Sequence, residues 1–171
     1  ERIQKIAVKD LLANKSQPRQ FFDDTALQEL ADSIREHGIL QPLVVTPLGD
    51  GKYRIVAGER RWRAALLAKL TTVPAIVRTL KELEELEIAI VENVQRVDLS
   101  PLEQAASIER LHQQFSISYE DISKRLGKAG STINNIVRLL QLPPEAEQAL
   151  RNKVITEGHA RAVLALRDWP D

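Results

Sequence analysis

Apolar positions keep one rhythm over roughly the first 80 residues of this chain and another after them. Ile3, Ile6 and Val8 alternate loosely and predict a strand over 3–12. Pro42-Leu43-Val44-Val45, Tyr53-Arg54-Ile55-Val56-Ala57 and Val73-Pro74-Ala75-Ile76-Val77 are β-branched runs that predict three more strands. Leu48-Gly49-Asp50-Gly51-Lys52 is the turn between the first two of these. Two helical stripes are interleaved with the strands. Leu27, Leu30, Ala31 and Ile34 share a face behind a Thr25–Gln28 capping box and ahead of a terminating Gly38, and Trp62, Ala65, Leu66 and Leu70 share another. Alternating strands and helices predict a small mixed α/β domain with its loops gathered at one end.

From Leu80 onward the strand signals stop. Leu83, Leu86, Ile90 and Val94 lie on one helical face with glutamates opposite, and Ser100-Pro101-Leu102-Glu103 supplies a Ser N-cap, Pro at the first helical position and Glu at the third. Further helices are expected over 100–115, 119–126, 131–141, 144–152 and 157–167. The fold class is therefore α+β: a mixed α/β domain over 1–98, followed by an all-helical domain over 99–171.

The two rhythms inside the first domain meet at Gly58-Glu59, where a strand gives way to a helix. A helix N-terminus offers free N–H groups and the positive end of the dipole, and Gly58 has no Cβ to block close approach. Arg60, Arg61 and Arg63 crowd that first turn, where cations are disfavoured unless an anion belongs there. Phosphate fits, since arginine forks onto it bidentately; the alternative is a solvated basic helix face. No GxxxxGK[ST] sequence is present, so this is not a Walker loop.

Two other stretches carry chemistry. Glu92-Asn93-Val94-Gln95-Arg96 sets a carboxylate beside an amide oxygen, a pair able to ligate Mg²⁺, with Arg96 placed to meet phosphate; the alternative is a polar helix end. In Tyr119–Arg138, Ile122 and Leu126 precede a turn at Gly127, and Ile133 and Ile136 follow it, which is helix-turn-helix spacing. The second helix exposes Ser131, Thr132, Asn134, Asn135 and Arg138, with Lys128 in the turn, all able to reach base edges or phosphates. An ordinary helical hairpin is the alternative.

Composition narrows the classes. Of 171 residues, 43% are apolar and 28% charged, with no apolar run near a membrane span, which expects a soluble protein. With no Cys and only His37, His112 and His159, disulfides, thiolate zinc sites and Cys nucleophiles are excluded and a histidine metal site is disfavoured. Formal charge is zero, 24 basic against 24 acidic residues, so only its distribution informs: Lys52, Arg54, Arg60, Arg61, Arg63 and Lys69 gather on one side of the sequence, Glu82, Glu84, Glu85, Glu87 and Glu92 on the other. The first residue is Glu1 and no signal-peptide pattern follows, so a shortened piece of a longer chain is expected.

Taken in order, these stretches resemble the ParB family of chromosome and plasmid partitioning proteins. Gln17-Pro18-Arg19, Gly38-Ile39-Leu40-Gln41-Pro42-Leu43, Gly58-Glu59-Arg60-Arg61-Trp62-Arg63-Ala64-Ala65, the run from Glu92 to Glu103, and Gly158-His159-Ala160-Arg161 look like its motifs in sequence, and the likeness covers nearly the whole chain. The resemblance implies a sulfiredoxin-like nucleotide-binding domain followed by a helix-turn-helix domain. It implies a DNA clamp that loads at a palindromic centromere site, binds CTP (or CDP) with Mg²⁺ and slowly hydrolyses CTP to CDP and phosphate. Gly58, Glu59, Arg60 and Arg61 inherit the triphosphate, Glu92 and Asn93 phosphate and Mg²⁺, and the segment from Gly38 through Gln41 to Pro42 the cytosine. Gln17 and Glu59 inherit hydrolysis, with Arg19 nearby, while Arg96 remains a phosphate candidate and Arg161 joins the DNA-binding set.

The partners implied are double-stranded DNA, a second copy of the chain and a ParA-type ATPase, the last through an N-terminal tail that, like the family's C-terminal dimerisation domain, is expected to lie outside this shortened piece. The implied location is the cytoplasm, on the bacterial nucleoid. One departure stands out: Gly127-Lys128-Ala129-Gly130 has glycine where the family's turn usually carries an arginine. Two rival functions are a helix-turn-helix transcription regulator without a nucleotide switch, and a nucleotide-dependent kinase on the same fold. Nucleotide selectivity separates all three.

Overall fold

The computed structural model describes residues 2–14 and 23–167. Contacts divide the chain into two compact units, Glu1–Glu85 with Gln113–Ser116, and Leu86–His112 with Ile117–Asp171.

The first unit is built on a mixed sheet of β1 (Ile3–Ala7), β2 (Leu11–Leu12), β3 (Leu43–Gly49), β4 (Lys52–Ala57) and β5 (Thr72–Val77), in the order β1-β5-β3-β4-β2. Leu43 and Val45 of β3 point into one core with Ile55 and Ala65, whereas Val44 packs with Ala57 and Leu83 in another. A strand covered on both faces reads as a continuous apolar run, as Leu43–Val45 does. Two helices belong to this unit, α1 (Asp24–His37) and α2 (Glu59–Leu67). Ala64 and Ala68 sit one turn apart on the α2 side and let Leu27, Ala31 and Ile34 of α1 approach closely.

Two local expectations are corrected. The strand expected over 3–12 is broken by a 3₁₀ turn at Val8–Asp10, and its two halves pair at opposite ends of the strand order, β1 with β5 and β2 with β4. The four steps from Ala7 to Leu11 reach about 14 Å at most, while four flat strand spacings need about 19 Å. The sheet therefore curls, and the buried Val8 and Leu11 fill the space inside the curl. The cap of α1 also lies earlier than expected: Asp23 accepts the Thr25 N–H at 3.1 Å, and Gln28 instead donates to Asp32. An aspartate accepts as a full anion at the positive helix end, which a Thr hydroxyl does not.

The second unit is helical. It takes up α3 (Leu80–Val94) from Leu86, then α4 (Pro101–Phe115) as far as His112. It continues through α5 (Tyr119–Leu126), α6 (Gly130–Arg138), a 3₁₀ turn at Leu139–Gln141, α7 (Pro144–Arg151) and α8 (Glu157–Arg167). The expected cap of α4 is present, with the Ser100 hydroxyl accepting the Glu103 N–H at 3.2 Å. Leu102, Leu139, Leu142, Leu150, Ala160 and Leu164 form one buried cluster. Between α4 and α5 the His112 and Tyr119 rings stack at 4.1 Å, His112 Nδ1 donates to the Ile117 carbonyl at 2.8 Å, and the Tyr119 hydroxyl donates to Glu109 at 2.7 Å. Burial and the Glu109 carboxylate push the Tyr119 phenol well above its usual pKa.

Candidate functional site

The strand-to-helix switch falls where the pattern placed it. Gly58 is the N-cap of α2, at φ 101° and ψ 25°, with no side-chain cap. A Cβ there would lie 2.8 Å from Leu43 Cγ and 3.1–3.2 Å from the Arg61 guanidinium. Glycine is required twice, once for its backbone and once for space.

The residues after Gly58 divide their roles. Glu59 is buried and accepts from Arg63 Nη2 at 3.1 Å, an i,i+4 pair with the carboxylate at the favourable helix end. Arg60 is exposed. Arg61 turns back: its Nη1 donates to the carbonyls of Gln41 at 2.6 Å and Pro42 at 2.8 Å. Burial lowers the Arg61 pKa from the usual arginine range. Thus Gln41, Pro42 and the Gly58 turn, separate in sequence, are brought together by one guanidinium, which does not touch Gly38. Gly38 ends α1 at φ 72°, donating to the Ile34 carbonyl. Beside this junction lies a cleft of about 290 Å³, lined by Ile3, Gln41, Pro42, Val44, Arg61, Ile76, Gln113 and Gln114. Sequence reasoning missed the carbonyls of Gln41 and Pro42, and Arg63 as the partner of Glu59. The four-residue spacing from Glu59 to Arg63 was the one available signal.

Two residues before Gly58 the strand is irregular. Strand pairing passes from Val44–Ala57 to Val45–Ile55, leaving Val56 as an extra bulged residue. The Val56 carbonyl accepts the Ser116 hydroxyl at 2.8 Å.

In the helical unit, Glu92 is exposed and Asn93 half-buried in the last turn of α3. Among the described residues no three His, Cys, Asp or Glu side chains converge to hold a metal. A single carboxylate and an amide oxygen fit Mg²⁺ of the kind completed by water and substrate phosphates, and do not make an all-protein cage. Arg96 forks onto Asp98 at 3.2 and 3.0 Å and, chiefly through that hydrogen bond, lowers the Asp98 pKa. Gln17 and Arg19 lie outside the described residues.

The helix-turn-helix is formed by α5 and α6. Ile122 and Ile133 are fully buried between them, with Leu126 and Ile136. Ser123 is buried too, its hydroxyl donating to the Glu120 carbonyl at 2.6 Å. Gly127 closes α5 in the left-handed region at φ 64°, with its own N–H on the Lys124 carbonyl and the next on that of Ser123. Lys128, Ser131, Thr132, Asn134 and Arg138 are exposed and Asn135 is half-buried. Gly130 opens α6, and nothing lies within 4 Å of where its Cβ would stand. Arg161 is exposed on α8, two residues after His159, whose Nδ1 accepts the Thr156 N–H at 3.2 Å and so caps that helix.

A curled α/β unit with a glycine-capped turn is thus followed along the chain by a helix-turn-helix unit. Comparison with known families is specific: the ParB N-terminal domain model matches residues 1–94 and the ParB helix-turn-helix domain model residues 97–170. The chain belongs to the ParB family. It is 56% identical over 153 residues to the chromosome-partitioning protein Spo0J of Thermus thermophilus, covering 90% of this chain and 56% of that one. It is 45% identical over 168 residues to the nucleoid occlusion protein of Geobacillus kaustophilus, covering 98% and 60%. The chain thus spans less than two thirds of these relatives' length. Among solved structures, C-terminally truncated ParB of Caulobacter crescentus complexed to the centromeric parS site is 48% identical, with 94% of this chain and 83% of that one covered and a TM-score of 0.48. The same protein complexed with CTP-γ-S is 47% identical, with 96% and 93% covered and a TM-score of 0.46.

Proposed function

We propose that this chain is the nucleotide-switched, DNA-loading part of a partition protein: it binds CTP with Mg²⁺ at the Gly58 turn, loads on a palindromic centromere site through α5 and α6, and closes with a second copy into a clamp. The observation that carries the reading is Gly58, whose lack of a Cβ sets the unblocked N-terminus of α2 directly beside the Gln41–Pro42 segment. The first N–H groups of α2 donate to phosphate oxygens, with the exposed Arg60 at hand. By family membership, Glu92 and Asn93 would supply oxygen ligands to Mg²⁺, which would offset phosphate charge. The segment from Gly38 to Pro42 takes the cytosine, an assignment that rests on family membership, since no residue pattern here reads a base unaided.

Hydrolysis to CDP and phosphate is slow, with Gln17 and Glu59 orienting water. Glu59 is suited to orienting more than to binding, because Arg63 holds its carboxylate in a fixed, buried position. Lys128, Ser131, Thr132, Asn134, Asn135, Arg138 and Arg161 are the DNA-facing set.

Titration calorimetry of the chain with CTP, ATP, GTP and UTP in Mg²⁺ tests this reading. CTP alone should bind, and a centromere duplex should bind better than a scrambled one. DNA binding without any nucleotide binding would leave a plain helix-turn-helix regulator, and selective ATP binding would favour the kinase.

A further inference from the structure

We infer that Arg61 serves the nucleotide site as a positioning residue: its guanidinium is a strut that holds the Gln41–Pro42 segment against the Gly58 turn, so that base-side and phosphate-side halves stand assembled before any nucleotide arrives. The inference rests on the CTP reading for what the two halves hold, but the strut itself is a matter of the chain's own contacts.

Three observations converge on it. Nη1 of Arg61 makes both carbonyl contacts, at 2.6 and 2.8 Å, so the guanidinium points back toward Gln41 and Pro42. Those carbonyls belong to a stretch, 38–42, that lies in neither helix nor strand, and no other hydrogen bond to either of them is found among the described residues outside the regular elements. Ile39 packs against two of the buried clusters, but the exposed Leu40 and Gln41 after it have no such anchor and no ladder to fix them. Finally, the guanidinium occupies the space that a Cβ on Gly58 would need, so the glycine and the arginine are matched parts of one device.

A purely electrostatic phosphate ligand has no reason to be spent in this way. Charge aimed at an anion is most effective with its donors turned toward the site, whereas Nη1 of Arg61 is given over to two backbone carbonyls. The strut lowers the ordering cost of binding, since loop residues that must be fixed on binding otherwise weaken every ligand that uses them. It therefore acts on the cytidine moiety common to all cytidine nucleotides, and its effect is independent of how many phosphates follow.

The test uses the whole chain with Arg61→Ala, and with Arg61→Lys in case the alanine variant does not fold; lysine keeps the charge but lacks the flat fork, so the same effects are expected in smaller degree. Two quantities are read. The first is the ¹⁵N order parameters of the Leu40 and Gln41 amides without nucleotide, which should fall to the flexible range of below about 0.6 while those of β3 and β5 stay near 0.85. The second is affinity for CMP, CDP and CTP, each of which should weaken by the same factor, about tenfold or more. Order parameters that stay rigid would overturn the strut. So would a loss that grows from CMP to CTP, because that pattern belongs to a phosphate ligand. If the unsubstituted chain binds no cytidine nucleotide, the CTP reading fails, and the order parameters alone then decide the strut.

Discussion

Gly58→Ala is the substitution whose effect the structure fixes most closely. The alanine must hold φ near 101°, where an L side chain meets its own backbone, at a cost of about 1–2 kcal/mol. Its methyl must also stand 2.8 Å from Leu43 Cγ, and Leu43 is fully buried, so the core gives way instead of the side chain swinging out. Overfilling of this kind costs about 1–3 kcal/mol, which brings the sum to about 2–5 kcal/mol. With a urea dependence of about 1 kcal/mol/M for a unit this small, the midpoint should drop by about 2 M or more. Trp62 packs on the sheet core and donates to the Val8 carbonyl, so its fluorescence reports this unit once the other tryptophan is removed by Trp169→Phe. Gly130→Ala is the internal control: its backbone is not left-handed and its Cβ meets nothing. By removing only unfolded-state freedom it should stabilise the helical unit by about 0.4–1 kcal/mol, followed by far-ultraviolet circular dichroism. A Gly58→Ala midpoint within 0.3 M of the parent's, against roughly 2 M expected, would refute the reasoning.

Gly130→Arg should tighten binding to a palindromic centromere duplex about tenfold, the worth of one good contact, because space for the side chain is open. If that contact is to phosphate, scrambled DNA gains equally and the salt slope steepens; no gain on either duplex shows that the turn faces away from DNA. Glu59→Gln and Gln17→Ala should each bind CTP but fail to release phosphate, as read by calorimetry and a phosphate assay; parallel loss of both would make them ordinary ligands. For Tyr119, whose folded pKa is raised, the stability contribution is whole below the unfolded value of about 10 and declines as pH rises through and above it. Tyr119→Phe should remove that alkaline decline while losing about 1 kcal/mol at neutral pH from the Glu109 hydrogen bond, both measured by urea titration of the helical unit.

What the sequence disclosed was local. The switch at Gly58, the turn at Gly127 and the Ser100 cap are written in a few adjacent residues, and each formed where its chemistry required. The failures were of two other kinds. Thr25 and Gln28 had the right spacing for a capping box, but Asp23 outcompeted them by bringing a full negative charge to the same helix end. Residues 3–12 alternate well enough for one strand, yet the partners of Ile3–Ala7 and Leu11–Leu12 lie far away in sequence, so only the assembled sheet decides where the run breaks. The site divides along the same line. Arginines beside a helix N-terminus suggested an anion, but nothing in the pattern showed that Arg61 folds back across Gly58 onto backbone carbonyls 19 and 20 residues earlier.

The curl of the sheet also bears on what the molecule avoids. An open sheet offers two rows of unpaired backbone groups, a template on which further chains can stack into insoluble fibres. Here one of those rows, β2, is only two residues long, and the other, β1, carries Lys5 at its middle. The 3₁₀ turn at Val8–Asp10 joins the two directly, so β1 cannot run on past Ala7 nor β2 start before Leu11 while the turn is kept. This short connection is thus a guard against edge-to-edge stacking.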